Sequence, residues 1–324
     1  MTIQRLLAGL SGFIGIFILI LDGKTALSGA AEGIALCVQT IIPALFPFFL
    51  FSALLTGAFV GSPIGLLRPI GKSFRIPAGG ESLLIASFLG GYPVGAQSVA
   101  EACKNGQLSS AVAERMLSFC SNAGPSFLFG IVAFTFPDRK IAWLLWAIHI
   151  VTAWINAQLF MEGDEPILQG IHSISISSAM TASVKTMASV CGWVILFRVI
   201  LSFLDNWIFW LLDNPARVII SGILELSNGC CSLAEIGDPK LRFVICSGML
   251  ALGGLCVTMQ TVSVAQGLNL RYYYIGKLLH CISSLVFSIC LVYEVWAIPV
   301  LSILLAGIYG KTKNTGGNPR KAIV

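Results

Sequence analysis

Charged side chains are scarce in this sequence. Asp, Glu, Lys and Arg make up 11% of its 324 residues, whereas hydrophobic residues make up 56%. Soluble domains carry about 25% charged residues, so this chain has too few charges to cover a water-facing surface. The scarcity excludes a soluble enzyme, a disordered chain and a nucleic-acid-binding protein as first interpretations. An all-α polytopic membrane protein is the class that remains.

Motifs for catalysis and metal binding are also missing. The sequence contains no G-x-S-x-G, no H-E-x-x-H and no Walker motif. Its ten cysteines include no C-x-x-C pair, and most lie in apolar stretches, where thiols behave as small hydrophobes. The three histidines, His149, His172 and His280, are scattered along the chain. We therefore predict packing roles for the cysteines, no metal or cofactor, and no enzymatic activity.

Long apolar runs are abundant, and a spanning helix needs about 20 such residues. Uninterrupted runs occupy 3–21, 141–161, 179–204 and 274–295. The run 33–60 contains Pro43 and Pro47, so we expect a kink there. The run 296–309 is short for a span, which leaves open whether it crosses the membrane.

Charge differences between the remaining segments suggest an orientation. Glu162, Asp164 and Glu165 lie in a segment without Lys or Arg, whereas the C-terminal tail is basic. The predicted parts are an N-terminal transmembrane helix (1–30), a first repeat (31–161), an external acidic loop (162–178), a second repeat (179–310) and a basic cytoplasmic tail (311–324). A signal peptide cleaved near 28–30 is the alternative for the first part; we favour an uncleaved helix.

Glycine and proline are frequent for so apolar a chain, with 33 and 13 residues. They interrupt apolar helices at 90–93, 122–125 and 253–254. The pattern G-G-x-x-V-x-x-Q-x-V occurs at 90–99 and again at 253–262, and V-Q-T at 38–40 is echoed by V-K-T at 184–186. Paired Gly/Pro breaks in two halves are typical of transporter binding sites. We predict two repeats, with re-entrant hairpins at both glycine pairs.

Helix breaks expose N–H and C=O groups that can bind a small polar solute at membrane depth. This argument selects the break residues and the polar side chains near them. The candidates are Gly90, Gly91, Tyr92, Pro93, Gly95, Gln97, Ser121, Asn122, Gly124, Pro125, Glu225, Gly253, Gly254 and Gln260.

Simpler roles exist for the polar members of this set. The two glutamines, Gln97 and Gln260, would serve equally well as hydrogen-bonding contacts between helices. An acid in an apolar stretch is expensive, so Glu225 could ligate a coupling ion or relay a proton. Alternatively, it could face the headgroups or pair with Arg217 or Arg198. The counter-charge for an acidic substrate would come from Arg198, Lys185, Arg115 or His280, each of which could instead extend to the membrane surface.

Five sequence blocks carry a family resemblance. In chain order they are GGYPVGA, SSAVAERMLSFC, SNAGPSFLFG, GILELSNG and GGLCVTMQTV. Together they resemble the sporulation integral membrane proteins of the YlbJ/SpoVV type, which carry the nucleoside recognition (Gate) domain. The likeness runs from about residue 30 to residue 295. It departs from the family pattern at Leu226 and Ser227, where Ile or Val and then Thr are usual, and at Cys256, where Ser is common.

The resemblance implies a fold similar to the concentrative nucleoside transporters, with two inverted repeats, each holding a re-entrant hairpin and a broken helix. It adds Ser227, Asn228 and Gly229 to the expected substrate site. It also implies transport of dipicolinic acid across the outer forespore membrane of a spore-forming bacterium.

The function expected from these arguments is alternating-access transport of a small anionic heterocyclic solute, with H⁺ or Na⁺ as a coupling cation. The alternatives are a cation-coupled nucleoside or nucleobase transporter and a non-transporting scaffold of a sporulation complex. The expected surroundings are the lipid bilayer and no nucleic acid, and a homo-oligomer stays open.

Overall fold

A computed structural model describes residues 3–162 and 175–315. Every regular element in these two ranges is helical, which confirms the all-α class. The α-helices are α1 (Ile3–Leu21), α2 (Gly23–Leu36), α3 (Ile42–Phe59), α4 (Arg68–Ser73), α5 (Glu81–Ile85), α6 (Val94–Lys104), α7 (Ser110–Met116), α8 (Pro125–Gly130), α9 (Lys140–Phe160), α10 (Ile176–Trp207), α11 (Asn214–Leu224), α12 (Leu226–Cys231), α13 (Pro239–Leu252), α14 (Gly254–Val264), α15 (Arg271–Val292) and α16 (Ala297–Thr315). Most of the predicted external loop and residues 316–324 of the predicted tail lie outside the described residues.

Five helical stretches are long and apolar enough to cross a membrane, so the chain is a polytopic membrane protein. They are Gly23–Phe59, Lys140–Phe160, Ile176–Trp207, Pro239–Val264 and Arg271–Val292. Three of them lie within a few residues of the predicted spans 141–161, 179–204 and 274–295. The predicted span 3–21 is helical over its whole length as α1.

The irregularity expected near Pro43 and Pro47 lies just before them. A π-helical segment, Cys37–Ile41, joins α2 to α3, and Pro43 falls in the first turn of α3. Proline has no N–H to donate and its ring crowds the carbonyl four residues earlier. The wider π turn accommodates this crowding, so the chain continues as one long helical stretch to Phe59.

Two helical hairpins have closely packed limbs. In the first, a π-helical segment (Ala86–Gly90) extends α5, and α6 returns against it; a Cβ built on Gly95 would lie 2.8 Å from the Ser87 Cα. In the second, α12 returns against α11, and a Cβ on Gly229 would lie 2.3 Å from the Gly222 Cα. Glycine at both crossings allows backbone-to-backbone contact.

The hairpin predicted at 253–254 is wrong in this fold. Gly253 takes a left-handed conformation (φ 78°) and ends α13, but α14 packs on α10, α11 and α6 rather than back along α13. The glycine pair therefore interrupts a longer helical stretch. The hairpin α5–α6 is followed by the interrupted helix α7–α8, and the hairpin α11–α12 by the interrupted helix α13–α14. The matched windows 90–99 and 253–262 thus fall on different elements.

A polar seam joins α9 to α15. His149 Nδ1 lies 3.1 Å from His280 Nε2, and Thr152 Oγ1 lies 3.1 Å from Ser284 Oγ. The fold thus brings together two histidines that lie far apart in the sequence; His172 lies outside the described residues. Among the described residues, no group of three or more His, Cys, Asp or Glu could hold a metal ion. All ten cysteines are free thiols.

Candidate functional site

A small cavity of about 20 Å³ lies where the two hairpins and the interrupted helices meet. We call it the central cavity. Its walls are Ile41, Leu45, Gly90, Gly91, Tyr92, Gly124, Ser126, Phe127, Val190, Val194, Glu225, Leu226, Ser227, Val257 and Gln260. Seven predicted site residues from four separate segments meet here: Gly90, Gly91, Tyr92, Gly124, Glu225, Ser227 and Gln260. The cavity has room for about one water molecule, so a larger solute requires its walls to move.

Glycine is required where the first hairpin meets the interrupted helix α7–α8. Gly91 has a φ of 74°, and a Cβ on it would lie 2.7 Å from the Gly124 backbone N. A corresponding contact joins Gly254 to the end of α11, where a Cβ would lie 2.7 Å from the Gly222 carbonyl O. In both halves the hairpin tip therefore touches the break of the interrupted helix that follows it.

Glu225 forms the N-cap of α12. Its carboxylate accepts hydrogen bonds from the Ser227 N (3.1 Å) and Asn228 N (2.7 Å), and from Asn228 Nδ2 (2.7 Å). The residue is only 2% exposed, which argues against a position at the headgroups. Pairing with Arg198 is also wrong, because that guanidinium pairs with Glu32 and Asp205. The helix N-terminus thus stabilises a buried acid in the cavity wall.

Four buried polar atoms around the breaks at 90–93 and 122–125 have no hydrogen-bond partner among the described residues. They are the Tyr92 hydroxyl, Ser121 Oγ, Asn122 Oδ1 and Ser126 Oγ. Tyr92 and Ser126 line the central cavity, and Asn122 holds its position by donating from Nδ2 to the Phe119 carbonyl O (2.5 Å). Buried polar groups without partners cost about 1–3 kcal/mol each. A polar solute in an enlarged cavity would supply the missing partners.

Lys277 is a functional candidate that the sequence argument missed. It lies on α15 at 6% exposure, and its ammonium donates to the Ser121 carbonyl O and to the Ala251 carbonyl O (3.3 Å). These carbonyls belong to the two interrupted helices, so Lys277 ties the breaks of both halves together. Its Nζ also lies 5.3 Å from the centre of the Tyr92 ring. Among the described residues, no carboxylate lies within 4.0 Å of it.

The predicted counter-charges lie elsewhere or have other partners. Lys185 is exposed on α10, and Arg115 pairs with Glu162 at 3.2 Å. His280 is buried against His149 instead of extending to the surface. The sequence did contain a signal for Lys277, because it is a cationic residue inside an apolar helix. It lies one helical turn before His280 on α15.

The remaining predicted residues surround the central cavity without lining it. Gly95 packs against the Cys120 carbonyl, and Gln97 accepts a hydrogen bond from Thr186 Oγ1 (2.7 Å) in a second cavity. Asn228 lines a third cavity. Those that lie at the breaks but outside the walls of the central cavity are Pro93, Ser121, Asn122, Pro125, Gly229, Gly253 and Gly254.

Three cavities follow one face of α10. The second, which we call the Gln97 cavity, measures about 310 Å³, and the third, the Arg198 cavity, about 250 Å³. Along α10 the lining residues are Ser178, Ala182, Ser183 and Thr186, then Val190 and Val194 of the central cavity, then Arg198, Leu201 and Asp205. Steps of three and four residues keep them on one side of the helix. The central cavity therefore separates two larger ones along a helix of 32 residues.

The chain is similar to the sporulation integral membrane protein YlbJ of Bacillus subtilis (strain 168). The two are 25% identical over 331 aligned positions, which cover 85% of this chain and 80% of that protein. No family model matches the chain, and no solved structure matches it.

Proposed function

We propose that this protein is a transporter of a small anionic heterocyclic solute that acts in sporulation by alternating access. The observation that carries the proposal is the row of three cavities along one face of α10. A narrow central cavity between two larger ones is the arrangement expected when a solute site is reached from one side at a time. Transport rather than catalysis is proposed, because the lining brings together helix breaks and polar groups suited to binding.

The chemistry of the walls supports an anionic, aromatic solute. Tyr92 and Phe127 present ring surfaces, with centroids 6.2 Å apart, and Lys277 places a positive charge behind the Tyr92 ring. Buried donors and acceptors without partners would orient the solute's polar atoms. The name of the relative supports a role in sporulation, and the family resemblance of the sequence implies dipicolinic acid as the solute and the outer forespore membrane as the location.

Uptake by reconstituted protein tests the function directly. We expect liposomes containing the protein to take up radiolabelled dipicolinate faster than protein-free liposomes, and Asn122→Ala to abolish the difference. Adenosine and uridine are run in parallel. Uptake of a nucleoside without dipicolinate uptake would favour the nucleoside alternative. A fixed co-purifying partner and no uptake of any of the three solutes would favour the scaffold.

Cysteine labelling tests the pathway without knowledge of the solute. Native Cys231 lines the Arg198 cavity, whereas Ala182 lines the Gln97 cavity. In a background where the other nine cysteines are replaced, Cys231 is expected to react with a membrane-impermeant maleimide from one side of the membrane only. In a background without native cysteines, Ala182→Cys is expected to react from the opposite side only.

Leu196→Cys provides the matched control, because Leu196 lies on another face of α10 and is 49% exposed on the apolar outer surface. It should react from neither side when the protein is in a bilayer. Labelling of the Ala182→Cys variant and Cys231 from the same side would contradict the pathway. Monodisperse elution and an unchanged Tm for each variant establish that the protein is folded.

A further inference from the structure

Glu225 is the carboxylate in the wall of the central cavity, and the described residues leave it without a countercharge. No Lys, Arg or His nitrogen among them lies within 4.0 Å of its oxygens. Lys277, the buried cation of the site, hydrogen-bonds to carbonyl groups instead. The carboxylate is held by uncharged donors of α12, namely the Ser227 and Asn228 N–H groups and the side chains of these two residues.

The other titratable groups that interact electrostatically with Glu225 come from four neighbouring segments. They are the Cys37 thiol in the π segment, the Tyr92 hydroxyl at the hairpin tip, Cys230 and Cys231 of α12, and Cys256 of α14. Thiols and phenols are neutral at ordinary pH. None of them can offset a second negative charge in the cavity.

An anionic solute would therefore meet a like charge. Two unit charges about 5 Å apart, at an effective dielectric constant of about 20, lower binding by a factor on the order of 100. The positive charge of Lys277, behind Tyr92, offsets one negative charge, but the Glu225 carboxylate already supplies that negative charge. A solute with two carboxylates adds two more negative charges.

We propose that Glu225 takes up a proton when the anionic solute binds and that this proton crosses the membrane with the solute. The inference rests on the proposed function and specifies its coupling ion. The proton comes from one side of the membrane, binds a carboxylate oxygen of Glu225 and leaves to the other side. No other bond is formed or broken. A metal ion is a poorer fit, because backbone N–H groups point at both carboxylate oxygens and hard cations require several oxygen ligands.

Glu225→Gln tests the coupling, because glutamine has the shape of the protonated acid and cannot exchange a proton. In the wild type, dipicolinate binding is expected to weaken about tenfold for each pH unit above the range in which Glu225 is protonated. An inward proton gradient is expected to drive accumulation of dipicolinate in the liposomes. The variant should bind with little pH dependence and let the solute equilibrate without accumulation. Glu114→Gln, a change outside all three cavities, should behave as the wild type.

Infrared difference spectroscopy supplies a readout that needs no transport. Adding dipicolinate to the wild type should produce the C=O stretch of a protonated carboxyl group, and Glu225→Gln should lack this band. Binding without the band, or accumulation driven by a proton gradient in Glu225→Gln, would overturn the proton proposal and leave the transporter proposal standing. Absence of both dipicolinate binding and uptake in the folded wild type would overturn the two together.

Discussion

Replacing Lys277 with methionine is expected to reduce uptake of the anionic solute about 100-fold or more, while most of the protein stays folded. A unit charge about 6 Å from an anion, at an effective dielectric constant of about 20, contributes about 3 kcal/mol to its binding. Methionine retains the length and apolar contacts of the lysine stem but has no charge. Uptake of radiolabelled dipicolinate and the Tm in detergent are measured on the same preparations.

Two effects on stability oppose each other in this variant. The carbonyls of Ser121 and Ala251 lose a donor, at about 1–3 kcal/mol each. In return, an ammonium without a carboxylate partner no longer has to be buried, a term of several kcal/mol. The change in Tm is therefore expected to be small beside the loss of transport, which separates a role in binding from a purely structural one.

Lys185→Met is the matched control, since Lys185 is an exposed lysine in an apolar helix outside the cavity lining. It should transport at the native rate. Native uptake by Lys277→Met would show that the solute does not depend on this charge. A loss of uptake that merely follows a loss of folded protein would assign Lys277 to the fold alone.

The helical framework could be predicted because hydrophobic runs of spanning length have few alternative structures in a bilayer. α9, α10 and α15 begin and end within a few residues of the predicted spans. The breaks at Gly91–Pro93, 121–124 and Gly253 were also predictable, since glycine and proline interrupt helices wherever they occur in such runs.

The pairing of the breaks could not be predicted from local sequence. The second hairpin turns at Glu225, where the sequence has no glycine pair, and its limbs cross at Gly222 and Gly229. That contact depends on which glycines face each other after the turn. The windows 90–99 and 253–262 match in sequence, but one lies on a hairpin and the other on an interrupted helix.

The charges of the site illustrate the same limit. Lys277 lies near the start of α15, a position where sequence alone suggests a lysine extending to the membrane surface. Only the fold shows that the two interrupted helices cover Lys277.

Gln97 was predicted for the central site, but it lies in the Gln97 cavity, because the helical turn of α6 carries it past Val94 and away from the hairpin tip.

Gly95→Ala is expected to destabilise the protein by about 3 kcal/mol or more, because one added methyl group has no space. A Cβ on Gly95 would lie 2.0 Å from the Cys120 carbonyl O and 2.8 Å from the Ser87 Cα. Both are backbone atoms, so no side-chain rotation relieves the overlap. The limbs of the first hairpin must separate from each other and from the chain that leads into α8, which distorts the wall of the central cavity.

Gly192→Ala makes the same chemical change in a helix where a Cβ has no heavy atom within 4 Å. Alanine is favoured over glycine in helices by up to about 1 kcal/mol, so this variant should have a Tm equal to or above that of the wild type. Gly95→Ala should yield less folded protein and a lower Tm in detergent. Equal Tm values for the two variants would mean that the hairpin limbs tolerate separation. That result would contradict the view that the close packing of Ser87 on Gly95 keeps the hairpin tip in contact with Gly124.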